Sequence, residues 1–497
     1  MDLKMPKRFR SLLPFCLLLS LGLTKLGAQT VAVYQTTPDL KQALQQEHSL
    51  SFSAVPAQGN VILVDDSQRF QTMDGFGAAM TDSSAWLLEN QLAPKLRDEV
   101  LRRLFDPRAG IGISFVRVPL GASDLALNHY SYDDMPQGQR DSGLQHFSID
   151  HDRAYILPAL RQALALNPSI SVMVTPWSPP GWMKTKDSMI GGRVREENSS
   201  DLAAYLAKSV SAYEQAGIPV KYLSLQNEPL YETADYPGTL MPAAQQTELI
   251  GKYVGPALKH AGLHASILAY DHNWDHPEYP EAVLADREAA PYVAGTAFHC
   301  YGGEVSAQGP VHDKFPEKGL WMTECSGGTW QKGNVLATTE KLVIESTRNW
   351  SKSVVLWGLA LDDKNGPNAG GCATCRGFVT VDRSSTPHAV TYTADYYAIG
   401  HASKFVHPGT QRIGSNNLGG ATGVETAAFR NPDGSIALLV LNNADAPAEF
   451  WVSWRDLSFK TSLSAGSVST YLWHPRERHL SSPGKVAPKY AESKPTE

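Results

Sequence analysis

Cysteine is scarce in this chain, five among 497 residues. That is far too few for a disulfide scaffold to be what holds so long a chain together. Charged residues make up only 19%, and no cluster of Lys and Arg forms the basic footprint that nucleic acid requires. Long apolar runs are missing after the first one, so no later segment is expected to cross a membrane. What is abundant is the material of a packed interior joined by turns: 42% hydrophobic residues, 11 Trp, 19 Tyr, 15 Phe, 40 Gly and 32 Pro. That balance excludes disorder, collagen and coiled coil, and the length points to one large domain with a smaller one.

The one long apolar run spans Leu12 to Leu26, follows Lys4, Lys7, Arg8 and Arg10, and ends at Gly27-Ala28-Gln29. A basic start, a short apolar stretch and small residues make a secretory signal, with cleavage expected after Ala28 and a secreted or periplasmic destination. About 15 residues is too short for a bilayer core, which needs about 20. Cys16 sits in mid-run rather than after a small residue at its end, which argues against lipid attachment. Removing residues 1–28 takes five Lys/Arg and one Asp from totals of 44 and 50, leaving 39 basic against 49 acidic residues and a formal charge of −10.

Eight apolar, β-rich runs recur through the middle of the chain: Gln71–Ala79, Ile113–Leu120, Ile170–Trp177, Val220–Glu228, Ser266–His272, Val293–Cys300, Leu320–Cys325 and Ser353–Leu361. Amphipathic stretches such as Asp201–Gly217 and Ala243–Gly262 separate them. Strands alternating with helices imply right-handed crossovers and a parallel sheet, and eight such units predict an α/β (β/α)8 barrel over residues 70–398. Further on, Thr426–Asn431, Ile436–Asn442, Ala448–Trp454 and Val468–His474 read as antiparallel strands with turns such as Asn431-Pro432-Asp433-Gly434 between them. They predict a β-sandwich over 399–480, joined by the N-terminal segment 29–69 with its strand-like Asn60–Val64. Residues 481–497, rich in Ser, Pro, Lys and Glu, are expected to fray.

Polar residues collect at the C-terminal ends of the predicted strands, the face on which barrels of this kind carry their active sites. The fourth strand finishes in Gln226-Asn227-Glu228-Pro229 and the seventh in Thr323-Glu324. Either glutamate alone reads as well as a strand cap or a partner for a surface Arg. Two carboxylates facing one pocket are what glycoside hydrolysis needs, one to protonate the leaving oxygen and one to attack the anomeric carbon or activate water. Asp124, Trp177, His299, Tyr301 and Trp357 stand at neighbouring strand ends, and aromatic faces with polar partners suit a sugar, although each aromatic taken singly is as well explained as core.

In Asp74-Gly75-Phe76-Gly77-Ala78-Ala79-Met80-Thr81-Asp82, Arg117-Val118-Pro119, Ser123-Asp124, Thr175-Pro176-Trp177-Ser178-Pro179-Pro180, Asn227-Glu228-Pro229, Thr323-Glu324-Cys325 and Gly400-His401-Ala402-Ser403-Lys404-Phe405 the chain resembles glycoside hydrolase family 30, in its glucosylceramidase-like branch. The resemblance implies that Glu228 is the acid/base, Glu324 the nucleophile and Asn227 the partner of the sugar 2-hydroxyl. It implies that Asp124, Trp177 and Trp357 grip a terminal sugar. Chemistry agrees with that order: a nucleophile must stay ionised, and Arg117 on the second strand and Tyr301 after the sixth are expected to donate hydrogen bonds to Glu324 that hold its pKa down. Glu228 is then expected to have a raised pKa, from burial and from repulsion by Glu324.

Cys372-Ala373-Thr374-Cys375 departs from that pattern. Without a second Cys or His pair at comparable spacing a metal is not expected, and a short disulfide stiffening the loop is. Cys300 and Cys325, ending neighbouring strands, are read as buried thiols, with a second bridge as the alternative. The function expected is a secreted retaining β-glycosidase with glucosylceramidase-like or β-glucosidase activity on terminal β-glucosyl units. It would take a β-linked glucoside, glycolipid or glucan and need no cofactor or metal. The alternatives are an endo-β-1,6-glucanase or β-xylosidase of the same family and, more remotely, a non-catalytic carbohydrate-binding protein.

Overall fold

Eight short parallel strands close on themselves in chain order: Gly75–Ala79, Phe115–Pro119, Ser171–Thr175, Val220–Ser224, Ser266–Asn273, Val293–His299, Gly319–Glu324 and Ser351–Leu356. Each falls within or against one of the eight sequence-predicted runs. In this computed structural model the described residues are 29–419 and 423–475, so the leader expected at 1–28 and the fraying tail expected at 481–497 lie outside them. Among the described residues no helix is long and apolar enough to cross a membrane.

The strands are almost wholly buried because both faces are covered, helices outside and side chains inside. One interior layer takes a residue from each strand from the second to the eighth: Phe115, Met173, Tyr222, Leu268, Ala297, Trp321 and Val355. Below it, Asp74 accepts from the Tyr222 hydroxyl and the Trp321 indole, both at 2.8 Å, and faces Lys221 and Lys352 at 3.0 and 3.5 Å. The predicted segment Asp201–Gly217 forms the helix Ser199–Gln215. The segment from Ala243 is helical as Ala243–Glu248, Leu249–Val254 and Gly255–His260, its middle turn widened.

Ten further strands form a sheet that folds over its own core, and the rest make a two-stranded and a three-stranded sheet in the loops after the seventh and eighth barrel strands. The N-terminal strand Thr30–Thr36 pairs antiparallel with Val468–Trp473, and Val61–Thr72 lies between Gln411–Ser415 and Ala448–Trp454. Strands distant in that order meet face to face: Phe52 packs on Trp473 and Phe459, with ring centroids 5.4 and 4.9 Å apart. Leu457–Leu463 and Gln411–Ser415 are strands that the sequence reading did not single out.

Candidate active site

The strand ends converge on a cavity of about 360 Å³ lined by Asp124, Trp177, Asn227, Glu228, Tyr301, Glu324 and Trp357, all expected from the sequence. Trp177 and Glu228 sit just past the ends of their strands rather than within them, and Trp357 follows Leu356 directly. His299 and Arg117 are buried beneath the cavity and act on its lining.

Glu228 occupies a left-handed backbone conformation, φ 46°, which a side chain rarely adopts; such strain persists only where the surroundings over-determine it. Its amide bonds the Asp271 carbonyl at 3.0 Å, and the Asn227 amide bonds Pro176 at 2.9 Å, so neighbouring loops fix the turn. Glu324 ends the seventh strand with both oxygens engaged, Oε2 by Arg117 at 2.5 Å and Oε1 by the Tyr301 hydroxyl at 2.9 Å. The second Arg117 nitrogen donates to Asn227 Oδ1 at 2.7 Å and to Asp271 at 2.8 Å. Asn227 thereby turns its amide nitrogen toward the cavity. An oxygen of Glu228, one of Glu324 and a ring nitrogen of His299 all lie within 4.8 Å of one another.

The sequence reading missed Asp271 beneath the cavity and Tyr231, Tyr236, His272, Asn273 and Trp330 in its lining. Asp271 is fully buried and accepts from Arg117, from Thr323 at 2.7 Å, from Thr175 at 3.2 Å and from His299 Nε2 at 3.1 Å. Tyr270 and Asp271 have φ of 72° and 69°, and the sixth strand pairs Ala297 with Tyr270 but Phe298 with His272. Asp271 is therefore the extra residue of a β-bulge, a device that re-aims side chains at barrel rims. It points inward while His272 and Asn273 reach the cavity. The signal was present in the polar run Asp271-His272-Asn273 at the end of the fifth strand.

Charge is distributed differently from the sequence expectation. His299 is raised to about 9: burial opposes its charge, but the carboxylates of Glu324, Asp271 and Glu228 outweigh burial. The imidazolium donates Nδ1–H to Glu228 at 3.1 Å, and, against burial, this bond and charge hold Glu228 below the usual carboxylate range. Burial pushes Glu324 upward, opposed by His299 and Arg117. Glu228 is thus lowered where the sequence reading expected it raised, because sequence reasoning had no means of placing a buried cation on it. Both His299 nitrogens are spent as donors, so the Glu228, His299 and Glu324 trio offers a metal no imidazole lone pair.

Asp124 is raised to about 7, by burial first and then by repulsion from Glu324. Its Oδ2 accepts from the Trp357 indole at 3.4 Å and the Cys372 amide lies against the carboxylate, yet Oδ1, although buried, has no hydrogen-bond partner. Buried polar atoms are nearly always paired, so the orphan marks a place for a ligand hydroxyl. Trp177 and Trp357 stack on each other at 4.8 Å, with the Arg117 guanidinium 4.9 Å from the Trp177 ring. The loop beyond the eighth strand closes over Asp124 so tightly that a Cβ at Gly371 would lie 2.1 Å from the Asp124 carbonyl oxygen.

Cys372 and Cys375 are bridged and line the cavity, as expected. Cys300 and Cys325 are also bridged, which corrects the reading of them as thiols. Their strands are parallel neighbours whose register sets the Cα atoms 5.2 Å apart, inside disulfide reach, and register is not legible in the sequence.

Comparison with known proteins agrees with this geometry. The pattern of the glycosyl hydrolase family 30 TIM-barrel domain matches residues 73–406, and that of the family 30 beta sandwich domain matches 409–471. An endo-1,6-β-D-glucanase of Aspergillus fumigatus is 33% identical over 464 residues, 86% of this chain and 92% of the relative. The lysosomal acid glucosylceramidase of Mus musculus is 30% identical over 464 residues, 85% of this chain and 86% of the relative. Among solved structures, an endo-β1,6-glucanase superposes with a TM-score of 0.83 at 33% identity, covering 90% of this chain and 100% of its own.

Proposed function

Since the chain belongs to glycosyl hydrolase family 30, and is a glycoside hydrolase, we propose that it cleaves β-1,6-linked glucan with retention of anomeric configuration. The observation that carries the substrate is the character of the cavity wall. It has no aliphatic side chain among its described lining residues, whereas a ceramide-linked substrate would need an apolar lip. Beyond the grip of Asp124, Trp177 and Trp357 stand Tyr231 and Trp330, each 49% exposed. Aromatic rings with a polar edge and a free face are what successive glucosyl units stack on. The similarity to endo-1,6-glucanases supports the same choice, so the alternative displaces glucosylceramidase-like exo action as the favoured reading.

Retention is supported by the spacing of the carboxylates. Oxygens of Glu228 and Glu324 within 4.8 Å fit the separation of about 5–5.5 Å for direct attack rather than the roughly 6.5–9.5 Å that admits a water. Glu324, with Arg117 and Tyr301 donating to its two oxygens, is the group whose ionised form its neighbours fit, and it attacks the anomeric carbon. Glu228 gives a proton to the departing oxygen, and the charged His299 beside it is the nearby proton source. Glu228 then accepts a proton from the water that hydrolyses the glycosyl ester, and Glu324 is released. Two carboxylates this close titrate as a pair, so the proton count belongs to both. The bridged cysteines fit an exported protein, since such bonds persist in oxidising compartments.

Side-by-side assay of β-1,6-glucan, glucosylceramide, an aryl β-glucoside and an aryl β-xyloside tests the reading. Fastest turnover of β-1,6-glucan with early release of mixed oligosaccharides is expected. Preference for glucosylceramide, or glucose as the sole early product, would overturn it.

A further inference from the structure

The hydrogen-bond ladder between the sixth and seventh barrel strands slips between Phe298 and His299 and ends on the pair His299 and Glu324. One more backbone bond follows, from the Cys300 amide to the Glu324 carbonyl at 3.3 Å. Past it two loops run side by side as a thin partition. Tyr301, Ser326 and Trp330 face the active-site cavity and also line a second cavity of about 470 Å³. A wall with a void on each side lacks the dense contacts that hold side chains in place elsewhere in a protein. The Cys300–Cys325 bridge lines the second cavity, on the far side of this wall, and its two halves directly follow His299 and Glu324. Tyr301, the next residue after Cys300, must keep its hydroxyl 2.9 Å from Glu324 Oε1.

Resting on Glu324 as the nucleophile, we propose that the Cys300–Cys325 disulfide is a positioning element of the reaction, holding Glu324 and Tyr301 in register where the pairing between the sixth and seventh strands ends. The groups that grip the sugar, Asp124, Trp177 and Trp357, belong to the second, third and eighth strand ends. Loss of the bridge therefore weakens the chemical step and leaves binding nearly untouched. Misplacement of a reacting group by about 1 Å can cost on the order of 10²-fold in rate.

The test is covalent labelling with 2-deoxy-2-fluoro-β-glucosyl fluoride, in which Glu324 forms the glycosyl ester and fluoride leaves. In Cys300→Ala/Cys325→Ala the first-order labelling constant should fall at least about tenfold, while the concentration for half-maximal rate stays within about twofold. An unchanged labelling constant, or a loss confined to binding, would overturn the role. Should that variant not fold, the bridge is reduced in a Cys372→Ala/Cys375→Ala background. The S–S bond takes up two electrons and two protons to give two thiols, while a dithiol reductant closes to its own disulfide. Labelling should slow on reduction and recover on reoxidation, and indifference to reduction would overturn the proposal. If label never reaches Glu324 in the unmodified protein, the nucleophile assignment fails, and the positioning role with it.

Discussion

The two ends of the barrel each bury a carboxylate near its axis, and they treat it in opposite ways. At the N-terminal end Asp74 is fully subscribed: Tyr222, Trp321, Lys221 and Lys352 surround it and hold it below its ordinary pKa against burial. At the C-terminal end Asp124 keeps an unpartnered oxygen, and burial raises it to about 7. The same side chain is thus a structural tie where its bonding capacity is used up and a binding group where some is held back. What separates function from framework is the unsatisfied remainder, which the folded state tolerates because a substrate supplies the missing partner.

The comparison is broken most completely by removing the reactive pair. Glu324→Gln is expected to reduce turnover to assay background. Glu228→Ala should retain activity on substrates with good leaving groups, partly rescued by azide with formation of the β-glycosyl azide. Failure of azide to rescue would count against Glu228 as the acid/base.

Next in size, Asp124→Ala should lower kcat/KM by on the order of 10² or more, since two charge-assisted bonds at roughly 1.5–3 kcal/mol each are lost and 1.4 kcal/mol is tenfold. Its melting temperature should barely move, because the folded protein had left Oδ1 unpaired. Asp74→Ala should do the reverse. It strands a buried indole and a buried hydroxyl, costing about 1–3 kcal/mol each, while kcat/KM per folded molecule stays within about twofold. A melting temperature unchanged in Asp74→Ala, or lowered in Asp124→Ala with activity kept, would dissolve the contrast.

How far the sequence led follows the same division. The eight strands were legible because apolar β-rich runs announce themselves, and the catalytic pair because polar residues ending such runs have few structural excuses. Asp271 escaped notice because its inward aim comes from a bulge made by two left-handed residues, which no composition reveals. The Cys300–Cys325 bridge and the His299 charge depend on the register of neighbouring strands and on what is buried beside what. The N-terminal strand Thr30–Thr36 was foreseen only as part of a segment joining the sandwich, since its partner lies more than four hundred residues away.

The smallest effect expected is a shift in pH dependence. His299, ordinarily near 6.5, is raised to about 9, so its charge adds stability that is complete below pH 6.5 and lost as pH rises through 9. Removing the negative charge at Nε2 in Asp271→Asn lowers that value. The alkaline limb of kcat/KM should move to lower pH by on the order of one unit, worth about 1.4 kcal/mol. A limb that stays in place would mean that His299 does not govern it.

The central claim, that Glu228 and Glu324 form a nucleophile and acid/base pair with no room for water between them, is tested most directly by the configuration of the first product. Proton NMR of β-1,6-glucan or aryl β-glucoside hydrolysis, followed from the first minutes, should show the β-anomer at the newly formed reducing end, with the α-anomer rising only by mutarotation. Initial appearance of the α-anomer would contradict the account.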